Sequence, residues 1–518
     1  MIWNSSSWPA KRNKHRLISL KKNILASYVS QIYVTLIGII MVPLYIEYMG
    51  AEAYGLVGFF ATLQAMFNLL DMGLTPTMAR ESARYSGGAI SLMDYRRLAR
   101  ALEGVFVGVA LLGGALLFAL ARPIAGKWLN ASHLPVQDVT TALQLMAFIV
   151  ALRWVCGLYR GVITGAERLV WLSGFNSLVA TGRFVLILPV LMFVSASPLV
   201  FFSFQLGVAV FEIAGLAWMA YRLLPPIPAG GRIRWQWAPL KPVLQFSLSI
   251  AFTSSVWVLV TQADKLVLSK VLPLADYGYF TVAVLVASSV VIVCNPISGA
   301  LMPRMTRLQA EGQHDALIAV YRQATQLVTV TAIPVALVLI FFAPQVLWAW
   351  TGDANLMQRA APVLGLYAIG YAFLAVGAFP YYLQYAKGNL RLHLIGNVLF
   401  VLVLIPSVIW AVTHYGMTGA GWAWLLANIG YFLLWTPLVH RKFAPGLHSG
   451  WLWGDIARPA ALPLTAAALA ARFLLWPDGR VALALQLFAA GGVFLLMAYS
   501  LAGRLSIQIR IRHPNATN

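Results

Sequence analysis

Residues 241–279 read KPVLQFSLSIAFTSSVWVLVTQADKLVLSKVLPLADYGY, an apolar run that contains Asp264 and Lys265 and ends at a Tyr-Gly pair. An equivalent pair occurs earlier, because Tyr277 and Tyr54 are 223 residues apart (277 minus 54). The same spacing relates further identical residues: Gly278 and Gly55, Arg307 and Arg84, Tyr382 and Tyr159, Gly388 and Gly165, Arg391 and Arg168. Charge is scarce in this chain, so these matches at one spacing predict two homologous halves.

The composition indicates a polytopic membrane protein. Of the 518 residues, 60% are hydrophobic and 10% are charged, which is too little polar surface to cover a soluble globule. The net charge of +21 does not indicate a nucleic-acid partner, because the lysines and arginines lie mostly between the apolar runs. Cys156 and Cys294 fall within apolar runs and are predicted to be buried free thiols.

Apolar runs of about 20 residues, the length that crosses a bilayer, predict an all-α fold of transmembrane helices. Fourteen such runs are present: 24–45, 54–71, 99–120, 140–160, 169–194, 199–221, 243–264, 278–301, 325–348, 361–383, 392–412, 418–438, 459–475 and 481–501. The loops predicted on the outer side are too short to hold a folded catalytic domain. A membrane enzyme is therefore not expected.

Lysines and arginines are concentrated in alternate loops, which places those loops and both termini on the cytoplasmic side. Each half holds six helices, an even number, so the halves share one orientation and an axis along the membrane normal is expected to relate them. The predicted organisation has a basic tail (1–22), a first lobe (23–223), a linker (224–241), a second lobe (242–440) and two further helices with a tail (441–518).

Charged residues inside predicted spans are the first candidates for a functional site. Each costs about 2.5–3.5 kcal/mol to insert, so it is paired, near an interface or in contact with water. Arg153, Arg183 and Glu212 are predicted to lie well inside spans. Either arginine could pair with Glu212 and hold two helices together, but one carboxylate cannot fully serve both. Asp71, at the end of the second span, has a local alternative as the cap of a turn into Gly73.

Polar residues at helical spacing indicate faces that contact water. Arg183 follows Ser173 and Asn176 on one face of its helix. The seventh span carries a second polar stripe: Ser247, Ser254, Thr261 and Lys265. Gln31 is the polar residue that matches Ser254 in the first half. At the far end of the seventh span, Asp264 and Lys265 either line a cavity or are helix-end charges at the outer interface.

Four arginines occupy matching cytoplasmic loops of the two halves: Arg80, Arg84, Arg304 and Arg307. They are either determinants of topology or groups that attract a phosphate at the cytoplasmic mouth. The sequence shows no Gly-rich nucleotide loop, metal-ligand cluster or nucleophile with a base, so no cofactor and no chemistry driven by ATP is expected. It does not distinguish H+ from Na+ as a coupling ion.

Four segments carry a family resemblance: LKKNILASYVSQIYVTLIGIIMVPLYIEYMGAEAYGLVGFF (20–60), LLDMGLTPTMARESARY (69–85), GVITGAERL (161–169) and QADKLVLSKVLPLADYGYF (262–280). The chain, over about residues 18–440, resembles the polysaccharide and O-antigen repeat-unit flippases of the multidrug/oligosaccharidyl-lipid/polysaccharide (MOP) exporter superfamily. The resemblance implies two six-helix lobes around a central cavity, as in transporters of the MATE family, with two further helices.

The resemblance also implies a function. Such a protein moves undecaprenyl-pyrophosphate-linked oligosaccharide across the bacterial cytoplasmic (inner) membrane by alternating access, for synthesis of O-antigen in lipopolysaccharide, capsule or exopolysaccharide. Cationic cavity residues would meet the pyrophosphate, and Arg153, Arg183 and Lys265 are the candidates in this chain. Polysaccharide polymerase and chain-length proteins are candidate partners. The alternative is a MATE-type multidrug or cation antiporter, in which acidic residues such as Glu212 and Asp71 would dominate the site.

Overall fold

The computed structural model describes residues 10–71, 73–226, 235–241, 258 and 261–503. The regular elements in these ranges are helices, as the all-α prediction requires. Contacts between residues divide the chain into two units, Met1–Val258 and Leu259–Asn518. The finer boundaries of tail, lobes and linker stay a prediction.

Each unit is a succession of helices joined by short connections. The described part of the first unit contains α1 (Ala10–Ile40), α2 (Val42–Phe67), α3 (Leu74–Ser86), α4 (Leu92–Pro123), α5 (Val136–Gly165), α6 (Leu169–Phe184), α7 (Ile187–Phe193) and α8 (Pro198–Leu223). The described part of the second contains α9 (261–271), α10 (Leu274–Ala287), α11 (Ser289–Ile292), α12 (Asn295–Ala310), α13 (His314–Phe341), α14 (Ala343–Thr351), α15 (Ala354–Gly377), α16 (Phe379–Ala386), α17 (Arg391–Gly430), α18 (Thr436–Phe443), α19 (Leu447–Trp451), α20 (Arg458–Phe473) and α21 (Arg480–Ser500).

The helix bounds of the second unit repeat those of the first at the spacing of 223 residues. Shifted by this amount, α3 falls on 297–309 and coincides with α12 (Asn295–Ala310). In the same way α4 falls on 315–346 and overlaps α13 (His314–Phe341). The repeat found in the sequence is therefore also a repeat of helices.

Ten helical segments among the described residues are long and apolar enough to cross a membrane. One of them, Arg391–Phe443, is 53 residues long and contains the predicted spans 392–412 and 418–438. Gly416 separates these two spans, because its backbone (φ 59°, ψ −148°) interrupts the helix in a region that glycine adopts readily. Most of the predicted seventh span lies outside the described residues, and the count of fourteen stays a prediction.

Three glycines on α5 bring α3 into close contact with its backbone. Gly157, Gly161 and Gly165 recur every four residues and so lie on one face of α5. A Cβ atom at Gly161 would lie 2.8 Å from the carbonyl oxygen of Thr75, and one at Gly165 would lie 2.1 Å from that of Ala79. A larger side chain does not fit at either position, so this glycine ridge sets the position of α3.

Gly165→Ala is expected to lower the free energy of unfolding of the first unit by about 1–3 kcal/mol, because the helices must separate to admit the methyl group. Gly174→Ala in α6 is the matched control, since a Cβ atom there meets nothing within 4 Å. Thermal unfolding of the purified protein in detergent compares the two variants. Equal midpoints for Gly165→Ala and the unsubstituted protein would contradict the close approach of α3 to α5.

Asp71 caps the turn between the second span and α3. Its Oδ1 atom accepts hydrogen bonds from the hydroxyl group of Thr75 at 2.6 Å and from the backbone amide of Thr75 at 3.2 Å. Gly73 supplies the positive φ of 71° that the turn needs. The carboxylate therefore has the local role that the sequence offered for it.

Buried polar contacts join α13 to the segment that precedes the two C-terminal helices. The Nε atom of Arg322 lies 2.5 Å from Oδ2 of Asp455, whose side chain is 1% exposed. Arg322 also donates to the carbonyl oxygen of Gly450 at 2.7 Å, and Trp451 donates to the hydroxyl group of Thr325 at 2.9 Å. An apolar cluster also joins the two C-terminal helices to the rest of the second unit; its buried members are Leu337, Phe342, Ala467, Leu483, Leu487 and Phe494. The C-terminal helices are thus packed into the second unit.

Asp455→Ala is expected to loosen α20 and α21. The substitution leaves the guanidinium of Arg322 without its carboxylate partner, which costs about 1–3 kcal/mol for a half-buried group. Limited proteolysis should then cleave between or within these helices sooner than in the unsubstituted protein. Asp478→Ala, at an exposed position between α20 and α21, is the control and should not change the digestion. Identical digestion of both variants would argue against the anchoring role of Asp455.

Candidate functional site

Three helices of the first unit each carry two polar residues seven positions apart. These pairs are Arg153 and Arg160 on α5, Asn176 and Arg183 on α6, and Gln205 and Glu212 on α8. Seven residues are about two helical turns, or roughly 10.5 Å, so both members of a pair lie on one face. Because α5, α6 and α8 contact one another, the six residues meet in one group, which we call the arginine cluster.

The arginine cluster has two layers. The layer nearer the predicted cytoplasmic ends of the helices is centred on Arg160. Its Nη1 atom donates to Oδ1 of Asn176 at 2.5 Å, and its Nη2 atom donates to Oε1 of Glu212 at 2.5 Å. The side chain of Glu212 is 5% exposed, whereas that of Arg160 is 31% exposed. Arg160 therefore ties α5 to both α6 and α8.

The second layer, farther from the predicted cytoplasmic ends of the helices, is centred on Arg153. Its Nη2 atom donates to Oε1 of Gln205 at 3.2 Å, and its Nε atom lies 3.5 Å from Oε2 of Glu212. Gln205 in turn donates to the backbone carbonyl of Arg183 at 2.8 Å. The guanidinium carbon of Arg153 lies 5.6 Å from the centre of the Phe60 ring. Glu212 is therefore shared between two arginines.

Arg183 has a different environment from the other two arginines. Within the described part of the chain it has no carboxylate within ion-pair distance, and its buried Nε atom makes no hydrogen bond. Its guanidinium carbon lies 5.2 Å from the centre of the Phe184 ring. The carboxylate of the cluster, Glu212, already holds Arg153 and Arg160. Three arginines against one glutamate leave the cluster with a net charge of +2 (three minus one).

The cluster has the chemistry of an anion site. Nε and Nη1 of Arg153 are buried and make no hydrogen bond within the described ranges, as is also true of Nε of Arg183. A guanidinium group binds two oxygens of a phosphate at once, with a geometry that a lysine cannot match. Burying an uncompensated charge is costly, so a ligand that brings negative charge would be stabilised strongly at this position.

Sequence reasoning missed two members of the cluster, Arg160 and Gln205. Arg160 is the last residue of the predicted span 140–160, a position where an arginine needs no explanation beyond topology. In the structure it lies inside α5, five residues before the last residue, Gly165. The seven-residue spacing from Arg153 and from Glu212 was the signal that could have identified both residues.

The predicted stripe on α6 does not face water along its length. The hydroxyl group of Ser30 on α1 donates to the backbone carbonyl of Ser173 at 2.8 Å and contacts the hydroxyl group of Ser177 at 2.9 Å. Ser173 is buried because these small side chains let α1 and α6 approach closely. Asn176 is half-buried and accepts a hydrogen bond from Arg160, and Gln31 is exposed on α1 beside Ser30.

Asp264 and Lys265 belong to the second unit. The helix α9 continues to residue 271, beyond the predicted end of the seventh span at 264, so the alternative of helix-end charges does not hold and a place in a cavity lining stays a prediction. Its Nζ atom donates to the carbonyl oxygen of Thr261 at 2.6 Å. Asp264 is buried and accepts a hydrogen bond from the hydroxyl group of Tyr367 at 2.7 Å. Ser247 and Ser254 lie outside the described residues.

The arginines predicted at a cytoplasmic mouth lie on α3 and α12: Arg80, Arg84, Arg304 and Arg307. On α3, the buried carboxylate of Glu81 lies 3.7 Å from Arg80 and 2.9 Å from Arg84. Glu311, the residue that follows α12, lies 2.6 Å from Arg307, and its hydrogen bond raises the pKa of that arginine. Arg304 is exposed and lines a shallow pocket with Gln323. Their role at a mouth stays a prediction.

The sequence matches the model of a known protein family. The family, described as "polysaccharide biosynthesis protein", matches residues 20–309, which is more than half of the chain. The chain belongs to this family. None of the curated proteins matches the chain significantly.

Solved structures of the MOP superfamily share the fold. The lipid II flippase MurJ, in an inward closed conformation, has a TM-score of 0.72 and 14% identity over 93% of this chain and 100% of its own. An inward-facing multidrug resistance MATE family transporter has a TM-score of 0.61 and 15% identity, over 79% of this chain and 96% of its own. A MOP transporter from Pyrococcus furiosus, described as having a binding pocket of reverse polarity, has a TM-score of 0.54 and 13% identity, over 82% and 96%. The predicted family and MATE-like fold are confirmed.

Proposed function

We propose that this protein is a flippase that moves undecaprenyl-pyrophosphate-linked oligosaccharide across the bacterial cytoplasmic membrane for synthesis of O-antigen, capsule or exopolysaccharide. The observation that carries the proposal is the net charge of +2 in the arginine cluster, where Arg153 and Glu212 are buried and Arg160 and Arg183 are half-buried. The family supports a role in polysaccharide biosynthesis, and structural neighbours include a lipid II flippase. On this proposal the protein transports its substrate and does not transform it.

A pyrophosphate would supply the negative charge that balances the net positive charge of the arginine cluster. Arg183 would make the first contact with a phosphate oxygen, because among the described residues its guanidinium forms no ion pair that the phosphate would have to replace. Arg153 would make the second through its unbonded Nη1 atom. Charge-assisted hydrogen bonds of this kind contribute about 1.5–3 kcal/mol each. Two of them are enough to select an anionic lipid head from neutral lipids.

Arg160 and Glu212 would position the cluster and not touch the substrate. Their ion pair links α5 to α8, and the bond from Arg160 to Asn176 adds α6. In the second unit, Lys265 would supply a further cation beside Asp264. Gln31 and Ser254 would be polar lining positions for the sugar. The exposed arginines of α3 and α12 would attract the head group at the cytoplasmic mouth.

The transport step would follow from differential binding. An anion that neutralises the arginines stabilises one conformation of the protein over another and so shifts the population between them. Multidrug resistance MATE family transporters that share the fold are described in an inward-facing and in an outward-facing conformation, the two states that alternating access requires. Polysaccharide polymerase and chain-length proteins are the partners we would expect for this product.

The alternative is a multidrug or cation antiporter, because a MATE family transporter shares the fold. A cationic drug needs an acidic site, whereas Glu212 in the cluster is already held by two arginines. Deletion of the gene should therefore leave sensitivity to cationic drugs unchanged. A deletion strain with raised sensitivity and normal surface glycan would favour the antiporter.

Deletion of the gene in the source bacterium also tests the main proposal. We expect surface polysaccharide to fall and the undecaprenyl-linked intermediate to accumulate in the cell, because synthesis continues while export stops. Lipid extraction with mass spectrometry measures the intermediate, and a plasmid copy should reverse both effects. Normal surface polysaccharide without accumulation would overturn the proposal.

A further inference from the structure

A second basic site lies in the first unit, apart from the arginine cluster. It is a cavity of about 240 Å³ that lies between the first turns of α4 and the last turns of α5 and α8. These helix ends continue into loops that carry basic residues. Its polar lining residues are Arg96, Arg100, Glu103, Tyr159 and Tyr221. Tyr159 precedes Arg160 of the cluster, but successive helical residues point about 100° apart, so the two side chains lie on different faces of α5.

The acidic residue of this cavity is fully engaged. Oε1 of Glu103 accepts hydrogen bonds from the hydroxyl groups of Tyr159 at 3.0 Å and Tyr221 at 2.5 Å, and Oε2 accepts one from Arg100 at 2.7 Å. Arg96 donates through Nε to the carbonyl oxygen of Pro225 at 2.5 Å. Within the described ranges its guanidinium has no ion pair, so its terminal nitrogens are available and the cavity has a net charge of +1 (two arginines minus one glutamate).

Exposed tryptophans lie on or against two of the helices that form the cavity, α4 and α8. The guanidinium carbon of Arg222 lies 4.1 Å from the centre of the Trp218 ring, and Trp235 donates through its indole to the carbonyl oxygen of Ala101 at 3.1 Å. Trp218, Trp235 and Trp237 are about half exposed. Tryptophan beside arginine is typical of the level of lipid head groups. The cavity therefore lies where a membrane surface would contact it.

One face of α4 changes from basic to apolar as it leaves the cavity. Arg96, Arg100 and Glu103 are followed at four-residue intervals by Val107 and Leu111, which are 41% and 67% exposed. A charged head end that continues into an exposed aliphatic strip matches a phospholipid in both charge and shape. A free phosphate ion would use the arginines but not the strip.

We propose that this cavity binds an anionic phospholipid, with the head-group phosphate on Arg96 and Arg100 and an acyl chain along Val107 and Leu111. The hydroxyl group of Tyr221, exposed beside Glu103, borders the glycerol region. Bound lipid would brace α4 against α5 and α8. This inference does not depend on the proposed transport function, because it concerns a different cavity and a structural ligand.

Native mass spectrometry of the purified protein, titrated with phosphatidylglycerol or with phosphatidylcholine of the same chains, tests the proposal. We expect one tight site for phosphatidylglycerol, and at least a ten-fold loss of its affinity in Arg96→Gln/Arg100→Gln. The control Arg97→Gln/Arg441→Gln removes the same charge from positions outside the cavity. An equal loss in both double variants, or equal binding of the two lipids, would overturn it.

A second variant covers the case in which loss of Arg100 disturbs folding, since Glu103 would lose a partner. Ala99→Leu adds volume to the cavity wall without changing any charge, and it should also weaken phosphatidylglycerol binding at least ten-fold. Inorganic phosphate is the remaining probe. If phosphate displaces the lipid at equal concentration, the cavity is a site for the free anion and the lipid assignment is wrong. Failure of phosphate to compete supports the lipid.

Discussion

Glu212→Gln is expected to lower the free energy of unfolding of the first unit by about 3–5 kcal/mol, because it strips two arginines of their shared carboxylate. The side chains of Glu212 and Arg153 are each 5% exposed, so water cannot replace the lost partner. The amide can still accept a hydrogen bond from Arg160, but it cannot neutralise the charge. Thermal unfolding of the purified protein in detergent measures the effect.

Two further variants test whether the loss of stability in Glu212→Gln comes from an unpaired buried charge or from the loss of any ion pair. Arg153→Met/Glu212→Gln removes one arginine together with the carboxylate, so it should be clearly more stable than Glu212→Gln alone. Glu311→Gln breaks the exposed pair with Arg307, and exposed pairs contribute only about 0–1 kcal/mol. Equal midpoints for Glu212→Gln and Glu311→Gln would contradict the shared burial of the carboxylate.

Arg183→Gln is expected to abolish export of surface polysaccharide while leaving the protein folded. Its guanidinium has no ion pair to lose in the described structure, so the cost to stability should be small. Its loss removes the cation that is free to bind a phosphate. Arg183→Lys keeps the charge but not the two-pronged geometry, and should restore export only in part. Complementation of the deletion strain, scored by gel analysis of surface polysaccharide, measures both variants.

Arg168→Gln is the matched control for that experiment. It removes one arginine from an exposed position in the same unit, between α5 and α6. Export should match the unsubstituted protein, with equal amounts of protein in the membrane by immunoblot. Full export by Arg183→Gln would show that Arg183 does not bind the substrate. An equal loss with Arg168→Gln would show that only total charge matters.

Much of the fold follows from local patterns in the sequence. Hydropathy and the 223-residue repeat locate most helices, because a membrane span must be apolar over its own length. Gly416 illustrates this, since the predicted gap between two spans is where the backbone turns. Hydropathy is a poorer guide to helix ends. By hydropathy, the charges at residues 264 and 265 end the seventh span, yet α9 continues to residue 271, and the ammonium group of Lys265 donates to the carbonyl oxygen of Thr261.

The partners within the arginine cluster could not be predicted in the same way. The sequence identified Arg153, Arg183 and Glu212 as buried charges but left open which arginine the glutamate holds. That choice depends on how α5, α6 and α8 are rotated against one another, which is a property of tertiary packing. Arg160 makes the shortest contact with Glu212, and within the part of the chain that the structure describes Arg183 is the cluster arginine without an ion pair.

Binding of undecaprenyl pyrophosphate to the purified protein tests recognition by the arginine cluster directly, because this part of the proposed substrate is independent of its sugars. We expect saturable binding that undecaprenol, which lacks phosphate, does not compete. We also expect an affinity at least ten-fold lower for Arg183→Gln, the equivalent of about 1.4 kcal/mol. Equal affinities for Arg183→Gln and the unsubstituted protein, or effective competition by undecaprenol, would contradict recognition of the pyrophosphate by the arginine cluster.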